Sequence, residues 1–267
     1  MDKKSFKVSV LASGSSGNAL YIETLKKRIL VDAGLTGKKI VSLFEEIDCN
    51  PESLDAILVT HEHSDHIRGV GVMARKFQLD VYANEATWKA IERKVGELKP
   101  AQKHIFKMGE VQTFGDIDIE SFGVSHDAVS AQCYAFHKDG KTFVMLTDTG
   151  YVSDHVRGVI CNADAYLMES NHDVQMLRMG SYTWNLKQRI LSDKGHLSNE
   201  DSARALAEVL GDNTKRIYLG HLSKENNLKD LARMTVEDTL KERCLGINEK
   251  IKIYDTYADR ATEIFEV

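Results

Sequence analysis

The sequence predicts an α/β fold of two mixed β-sheets packed face to face, with helices on the outside. Three observations carry this. Each half of the chain opens with closely spaced strand-like runs and continues with strands that alternate with helical patterns, the order expected when one face of each sheet meets its partner and the other meets helices. Polar residues capable of chemistry stand repeatedly at the exits of apolar strand runs, where the ligand sites of α/β sheets collect. And 267 residues with two prolines, no low-complexity tract and no Gly/Ser-rich spacer read as one domain, 1–267.

The elements follow in order. Lys7 to Leu11 and Ala19 to Glu23 are strands around the turn Ser13-Gly14-Ser15-Ser16-Gly17-Asn18, and Arg28 to Val31 is a third strand ending at Asp32-Ala33-Gly34. A helix over Gly37 to Ile47 places Ile40, Leu43, Phe44 and Ile47 on one face. The strand Ala56 to Thr60 precedes a helix from Asp65 to Phe77, and a further helix opens at Asn84 and closes before Gly96. Strands return at Val111 to Phe114, Ile117 to Val124, Ala131 to His137, Thr142 to Thr147 and Ala165 to Glu169. Ser198 caps a helix that ends at Gly211, with an acidic residue at its third position. The strand Arg216 to Leu219, a helix from Thr235 to Leu245 and two closing strands complete the chain.

Composition excludes several classes. A hydrophobic fraction of 42% and a charged fraction of 28% are those of an ordinary globular protein. The net charge of −5 provides no global basic face for nucleic acid, so any such contact needs a local patch. Cys49, Cys133, Cys161 and Cys244 are scattered without a C-x-x-C pair and read as buried reduced thiols. Met1-Asp2-Lys3-Lys4-Ser5 has no apolar signal region and no stretch approaches membrane-spanning length, so a cytoplasmic protein with no membrane partner is expected.

The most informative run is Thr60-His61-Glu62-His63-Ser64-Asp65-His66. Three imidazoles and a carboxylate crowded at the end of a buried strand are costly unless something binds them, and a pair of divalent metal ions is the simplest occupant. His61 and His63, two apart in extended chain, point the same way and can share one ion. Asp65 and His66 follow the turn into a helix and can serve a second. Two such ions would hold a hydroxide nucleophile and grip the attacking and leaving oxygens. Six residues cannot fill two coordination shells. Further candidates stand at strand ends: Asp32, His126, Asp148 and His221. His104, His137 and His155 have no motif around them and read as surface or packing residues.

In this order Asp32, His61-His63-Asp65-His66, His126, Asp148 and His221 resemble the motifs of the metallo-β-lactamase fold superfamily, over 189 positions of the chain. The resemblance implies a four-layer αββα sandwich with the site at one edge. It implies that His61, His63 and His126 hold one metal, that Asp65, His66 and His221 hold the other, that Asp148 bridges, and that Asp32 supports the cluster from behind. Asp148 stands where some β-lactamases carry cysteine, and His63 stands where an oxygen-reducing di-iron branch carries a carboxylate. Zn²⁺ suits this donor set, with Mn²⁺ where carboxylates contribute.

A second constellation points to phosphodiesters. Met168-Glu169-Ser170-Asn171-His172 and Lys194-Gly195-His196-Leu197-Ser198 are similar to the Glu and His motifs of the tRNase Z branch. By that resemblance Glu169 orients and charge-stabilises His196, and His196 protonates the leaving oxygen. In the mechanism expected from these residues, Asp65 also accepts a proton from the nucleophile. Independently, His196 precedes a helix whose free N–H groups favour phosphate. The alternative is a histidine that merely precedes a cap. Between these motifs Val174 to Lys194 carries a net charge of +3, with Arg178, Tyr182, Trp184, Lys187 and Arg189. Together with Ser198, and with Ser15 and Ser16 of the first turn, these are candidate substrate contacts, by phosphate binding and base stacking. The competing reading is a loop whose aromatics cover the core, and a plain hairpin turn at Ser13 to Asn18.

The whole pattern, with Ser13-Gly14-Ser15-Ser16-Gly17-Asn18 near the start, Glu169-Ser170-Asn171-His172-Asp173 in the middle and Gly-His-Leu-Ser at both 195–198 and 220–223, resembles the WalJ/YycJ group of this superfamily. That resemblance implies a metal-dependent 5′→3′ DNA exonuclease, compatible with a repair role. The chain has no room for the β-CASP insert of RNase J-type nucleases between Asp148 and His221, and lacks a long tRNA-binding arm. An RNA-processing nuclease and a small-molecule thioester or lactone hydrolase remain the alternatives.

Overall fold

A computed structural model describes residues 5–267; the polar run 1–4 read above lies outside them. Seven strands of the first sheet come mainly from the first half of the chain: β1 (Phe6–Ala12), β2 (Ala19–Thr24), β3 (Arg28–Val31), β4 (Ala56–Leu58), β5 (Asp80–Ala83), β6 (Lys103–Ile105) and, last in the chain, β14 (Phe265–Glu266). The second sheet has β7 (Val111–Phe114), β8 (Ile117–Gly123), β9 (Gln132–Lys138), β10 (Lys141–Leu146), β11 (Ala165–Glu169), β12 (Arg216–Gly220) and β13 (Lys252–Asp255). The spatial orders are β14-β1-β2-β3-β4-β5-β6 and β13-β12-β11-β10-β9-β8-β7. Each sheet is antiparallel at one end and parallel at the other: β1 to β3 run antiparallel and β3 to β6 parallel, as β7 to β10 run antiparallel and β10 to β13 parallel. This is the strands-first, alternation-later pattern of the sequence, made physical.

The helices are α1 (Gly37–Glu46), α2 (Ser64–Ile67), α3 (Val70–Phe77), α4 (Glu85–Val95), α5 (Asp154–Ile160), α6 (Val174–Met179), α7 (Trp184–Ile190), α8 (Asn199–Val209) and α9 (Lys229–Glu242). Ile40, Leu43 and Phe44 of α1, Met73 of α3 and Ile91 of α4 pack on Leu30, Ile57 and Val81 of the first sheet. Val156 and Ile160 of α5, Leu206 and Val209 of α8, and Val236 and Leu240 of α9 pack on Val144, Tyr166 and Ile217 of the second. Between the sheets Val8, Ile22, Ile29 and Leu58 meet Phe136, Phe143, Met145 and Leu167. Side chains of this size are each worth about 1.5–3 kcal/mol on full burial. The four layers are therefore helix, sheet, sheet, helix. Among the described residues no helix is long and apolar enough to cross a membrane.

Several sequence expectations are corrected. The helix expected over Asp65 to Phe77 is two helices, because the Gly69 N–H leaves the ladder and donates to the Ala33 carbonyl at 2.6 Å. The last helix starts at Lys229 rather than Thr235 and ends at Glu242; it opens on the charged pair Lys229-Asp230. β5, β6 and α5 are short and were not expected. Of the thiols expected to be buried, only Cys133 is: Cys161 and Cys244 are exposed, at the ends of α5 and α9, and Cys49 is half-buried, with none paired.

The sheet edges that carry the site are locked by close backbone contact. Gly34, just past β3, lies against the Asp65 backbone; a Cβ there would stand 1.6 Å from the Asp65 carbonyl oxygen. Asn18 N–H donates to that same oxygen and Gly34 N–H to Asn18 O, at 2.8 and 2.9 Å. Gly34→Ala should force these segments apart and cost about 3 kcal/mol or more, lowering Tm by several degrees or more in a thermal melt. A melt indistinguishable from the native protein would show that this contact is not a constraint.

Candidate metal centre

Chain geometry gathers the ligand candidates from both sheets. Asp32 follows β3, the His61 to His66 run follows β4, His126 follows β8, Asp148 follows β10, and His221 follows β12. Asp32, Asp148 and His221 all adopt left-handed backbone, at φ of 58°, 57° and 54°. This conformation is uncommon outside glycine and concentrates at functional sites. The strand ends there turn sharply, so the side chains face the shared edge rather than the sheet interior.

Four donor groups fall into place: His61, His63 and His126; Asp65, His66 and His221; between them His61, His66 and Asp148; and, to one side, Asp148, Glu169, His196 and His221. Within each, one ligand atom per residue lies within 4.8 Å of the others. The imidazoles are aimed by their second nitrogens, the arrangement common to metal-ligating histidines. His66 Nδ1 lies 2.7 Å from Asp32 Oδ2, His61 Nδ1 2.9 Å from Thr60 Oγ, His126 Nδ1 3.2 Å from Gly195 O, and His221 Nδ1 2.9 Å from Glu169 Oε1. The opposite nitrogens face the centre. His61 Nε2 and His221 Nε2 are buried without a hydrogen-bond partner. Buried orphan donors of this kind, converging with carboxylates, fit divalent cations.

The electrostatics agree. Burial alone would raise the Asp148 and Glu169 carboxyls, but neighbouring imidazoles outweigh it. His221 and His66 hold Asp148 well below the ordinary range, and His196 with His221 brings Glu169 down to about 2. Burial would lower His66 and His221, yet Asp148, joined by Asp32 for the first and by Asp65 and Glu169 for the second, holds His66 well above its ordinary value and His221 at about 10. His61 is driven well down by burial and then by His66. The cluster is thus an anionic pocket that attracts cations, and protons on His66 and His221 would leave as a divalent ion arrives.

Beside the metal ligands stands the second constellation. Glu169 is fully buried, and its Oε1 lies 2.7 Å from His196 Nδ1 as well as 2.9 Å from His221 Nδ1. Its Oε2 accepts from Thr149 N–H at 2.9 Å and Leu197 N–H at 3.3 Å. His196 lines the cavity over the cluster, together with Tyr182 and Arg189.

The remaining candidate contacts divide. Ser15 is exposed at the rim of that cavity and Ser16 in the adjoining groove, and Trp184 and Arg178 are exposed on the 174–194 segment. Lys187 is buried instead; its ammonium donates to Arg178 O and Gly180 O, at 2.8 and 2.7 Å, and joins α6 to α7. Ser198 is the buried cap of α8, accepting from Asp201 N–H. Both therefore serve the fold, because their polar atoms already have partners. His104 and His137 lie outside the site, on β6 and β9, and His155 is exposed on α5.

Sequence reasoning missed several neighbours. Thr60 donates to Asp32 through both its N–H and its hydroxyl, at 2.9 and 2.8 Å. Asn18 Nδ2 sits 3.0 Å from His66 Nε2, Asn171 donates to His221 O at 2.8 Å, and Asp127 Oδ1 lies 3.3 Å from His126 Nε2. Each stands next to a motif in the sequence, but adjacency alone does not tell a support from a spacer. His172 is buried with neither ring nitrogen partnered, and burial pushes it down to about 4.

A beta-lactamase superfamily domain matches residues 27–222. The chain is 63% identical, over the full length of both, to the exodeoxyribonuclease WalJ of Streptococcus pneumoniae. The chain belongs to the beta-lactamase superfamily, in the family of WalJ. It is also 56% identical to the exodeoxyribonuclease YycJ of Bacillus anthracis, over 96% of this chain and 97% of that one. Among solved structures, the metallo-β-lactamase fold protein YhfI of Bacillus subtilis superposes with a TM-score of 0.72 over 97% of this chain and 99% of its own, at 19% identity, which speaks to the fold alone.

Replacing Asp32 by alanine should weaken metal binding about 10–100-fold, because His66 loses the group that fixes its ring. Metal content measured by mass spectrometry across a chelator titration checks this, and native affinity in Asp32→Ala would remove the support role.

Proposed function

We propose that this protein is a metal-dependent exodeoxyribonuclease that hydrolyses phosphodiester bonds at a two-metal centre. Full-length identity to WalJ and YycJ supports the exodeoxyribonuclease activity. The observation that carries the mechanism is the pairing of His196 with Glu169 directly beside the ligand cluster. His61, His63 and His126 would hold one ion, Asp65, His66 and His221 the other, and Asp148 lies between the two sets. When bound, the ions supply Lewis-acid stabilisation of the phosphoryl oxygens and an ionised water. The three-imidazole set suits Zn²⁺, and the set with carboxylates also accepts Mn²⁺.

The chain's own residues then do the following. Asp65, partly exposed at the cavity, takes a proton from the attacking water. Phosphorus gains one P–O bond and loses the bond to the 3′-oxygen. The imidazolium of His196, protonated at both nitrogens, delivers its Nε2 proton to that leaving oxygen, while Glu169 accepts from Nδ1–H, holding the ring in position and stabilising the imidazolium. Ser15 and Ser16 at the rim, and Tyr182 and Trp184 on the 174–194 segment, contact the nucleic acid chain and its bases. The exposed cations of that segment, Arg178, Arg189 and Lys194, form a local basic patch on a chain of net charge −5.

His196→Ala should retain its metal ions while DNA hydrolysis falls about 10²–10⁴-fold, measured on end-labelled oligonucleotides with a thioester assayed alongside. Native DNA turnover in His196→Ala would remove it from the mechanism. Thioester cleavage with DNA left intact would make the protein a small-molecule hydrolase.

A further inference from the structure

We infer that Arg68 and Lys94 grip the sugar–phosphate backbone of the DNA strand in a groove outside the metal centre, between the Ser13–Asn18 turn and the exposed sides of α2 and α4. The inference rests on the reading of the centre as a nuclease. A polymer substrate extends well beyond the atoms that react, so its flanking phosphates cross the surface next to the cluster. On a chain of net charge −5 that surface holds a polyanion only where cations are gathered locally.

Ser15 borders three spaces: the cavity over the ligand cluster and two open grooves that adjoin it, of about 550 and 680 Å³. The smaller groove meets the cavity at Asp65 as well as at Ser15, and runs over Gly34 and Ile67 to Ser64, Arg68 and Lys94. Its floor is the locked contact of Gly34, Asn18 and the Asp65 backbone described above. The turn beside it is equally fixed: Gly14 N–H donates to Asn18 Oδ1 at 3.0 Å, Asn18 Nδ2 to Gly14 O at 3.2 Å, and Gly17 N–H to Gly14 O at 3.0 Å. These bonds leave the Ser15 and Ser16 N–H groups without an acceptor among the described residues, and both side chains are exposed. The groove is thus preformed, and its hydroxyls and N–H groups are free to meet phosphate oxygens.

Charge decides between the two grooves. In the larger one Lys224 and Lys229 are matched by Glu225 and Asp259, so its charges cancel, and the Lys229 ammonium already sits 3.4 Å from the centre of the Tyr257 ring. In the smaller one the single carboxylate is Asp65, at the inner end and within the ligand cluster. Beyond it the charged groups are Arg68 and Lys94, both exposed. Arg68 has no hydrogen-bond or ion-pair partner among the described residues, so its whole fork of five donors is available. Lys94 donates to Glu62 O at 3.2 Å, which holds its ammonium beside the His61 to His66 run and leaves two further N–H donors. A pair of cations flanked by serine hydroxyls, with no opposing carboxylate along the way, fits successive phosphodiesters of one strand. Contacts of this kind carry no base preference and position the strand over the metal centre.

The test compares the full-length metal-loaded protein with the double variant Arg68→Ala/Lys94→Ala on a single-stranded oligonucleotide and on thymidine 5′-(p-nitrophenyl phosphate), which is too short to enter the groove. The quantity read is the ratio of kcat/KM for the two substrates, internal to each protein and so independent of how much of it folds. That ratio should fall at least tenfold in the double variant. The slope of log kcat/KM for the oligonucleotide against log salt concentration should become shallower by about 1.4, the change expected when two phosphate contacts on a single strand are lost. Lys224→Ala should leave both quantities close to native. An unchanged ratio and slope in the double variant, or an equal loss in Lys224→Ala, would overturn the groove while leaving the phosphodiesterase reading intact. A native protein that leaves the oligonucleotide whole refutes that reading and the groove with it.

Discussion

One buried carboxylate constrains the rest of the site. Glu169 has no exposed surface and four hydrogen-bond contacts: two imidazoles at one oxygen, two backbone N–H groups at the other. A carboxylate in such a place is expensive unless every lone pair is occupied. Its partners come from three segments: the turn after β10 with Thr149, the entry to α8 with both His196 and Leu197, and the end of β12 with His221. Satisfying Glu169 therefore requires the second sheet to assemble in its native register. The same oxygen fixes a metal ligand and the proposed proton donor, so the distance between them is set by one atom. This coupling explains how a loop residue such as His196 gains the precision that chemistry on a rigid metal cluster needs.

Asp32 performs the matching task in the first sheet. It is fully buried, accepts from Thr60 twice, and lies against His66 Nδ1. The two carboxylates sit behind opposite sides of one cluster, one at the end of each sheet's strands. The sandwich brings these edges together, and left-handed backbone at Asp32, Asp148 and His221 turns the side chains into the gap. That local conformation is unfavourable, and the packed sheets on either side hold it in place.

Much of this was legible in the sequence, for identifiable reasons. The His61 to His66 run declares itself because crowded imidazoles have few other uses. Asp32, Asp148 and His221 could be found because each follows an apolar strand run. The longer strands announced themselves through mostly apolar, mostly buried runs, as in β1, β10 and β11. What stayed hidden was short or polar. β5 and β6 have three or four residues and half-exposed faces, and α9 opens on the charged pair Lys229-Asp230. Lys187 looked like a substrate cation because a sequence cannot show that two carbonyls wait within 3 Å of its ammonium. Asp127 and Asn18 looked like spacers because their roles depend on loops far away in the chain.

The central claim is that His196, held by Glu169, supplies the proton to a leaving oxygen that cannot depart without one. Its most direct test is leaving-group dependence. The native protein and His196→Ala are compared on a DNA oligonucleotide and on thymidine 5′-(p-nitrophenyl phosphate), whose nitrophenolate departs without protonation. The account predicts a loss of about 10²–10⁴-fold on DNA and a loss of less than about tenfold on the nitrophenyl ester. Equal losses on the two substrates would contradict it, because a residue that binds or merely shapes the site does not distinguish leaving groups.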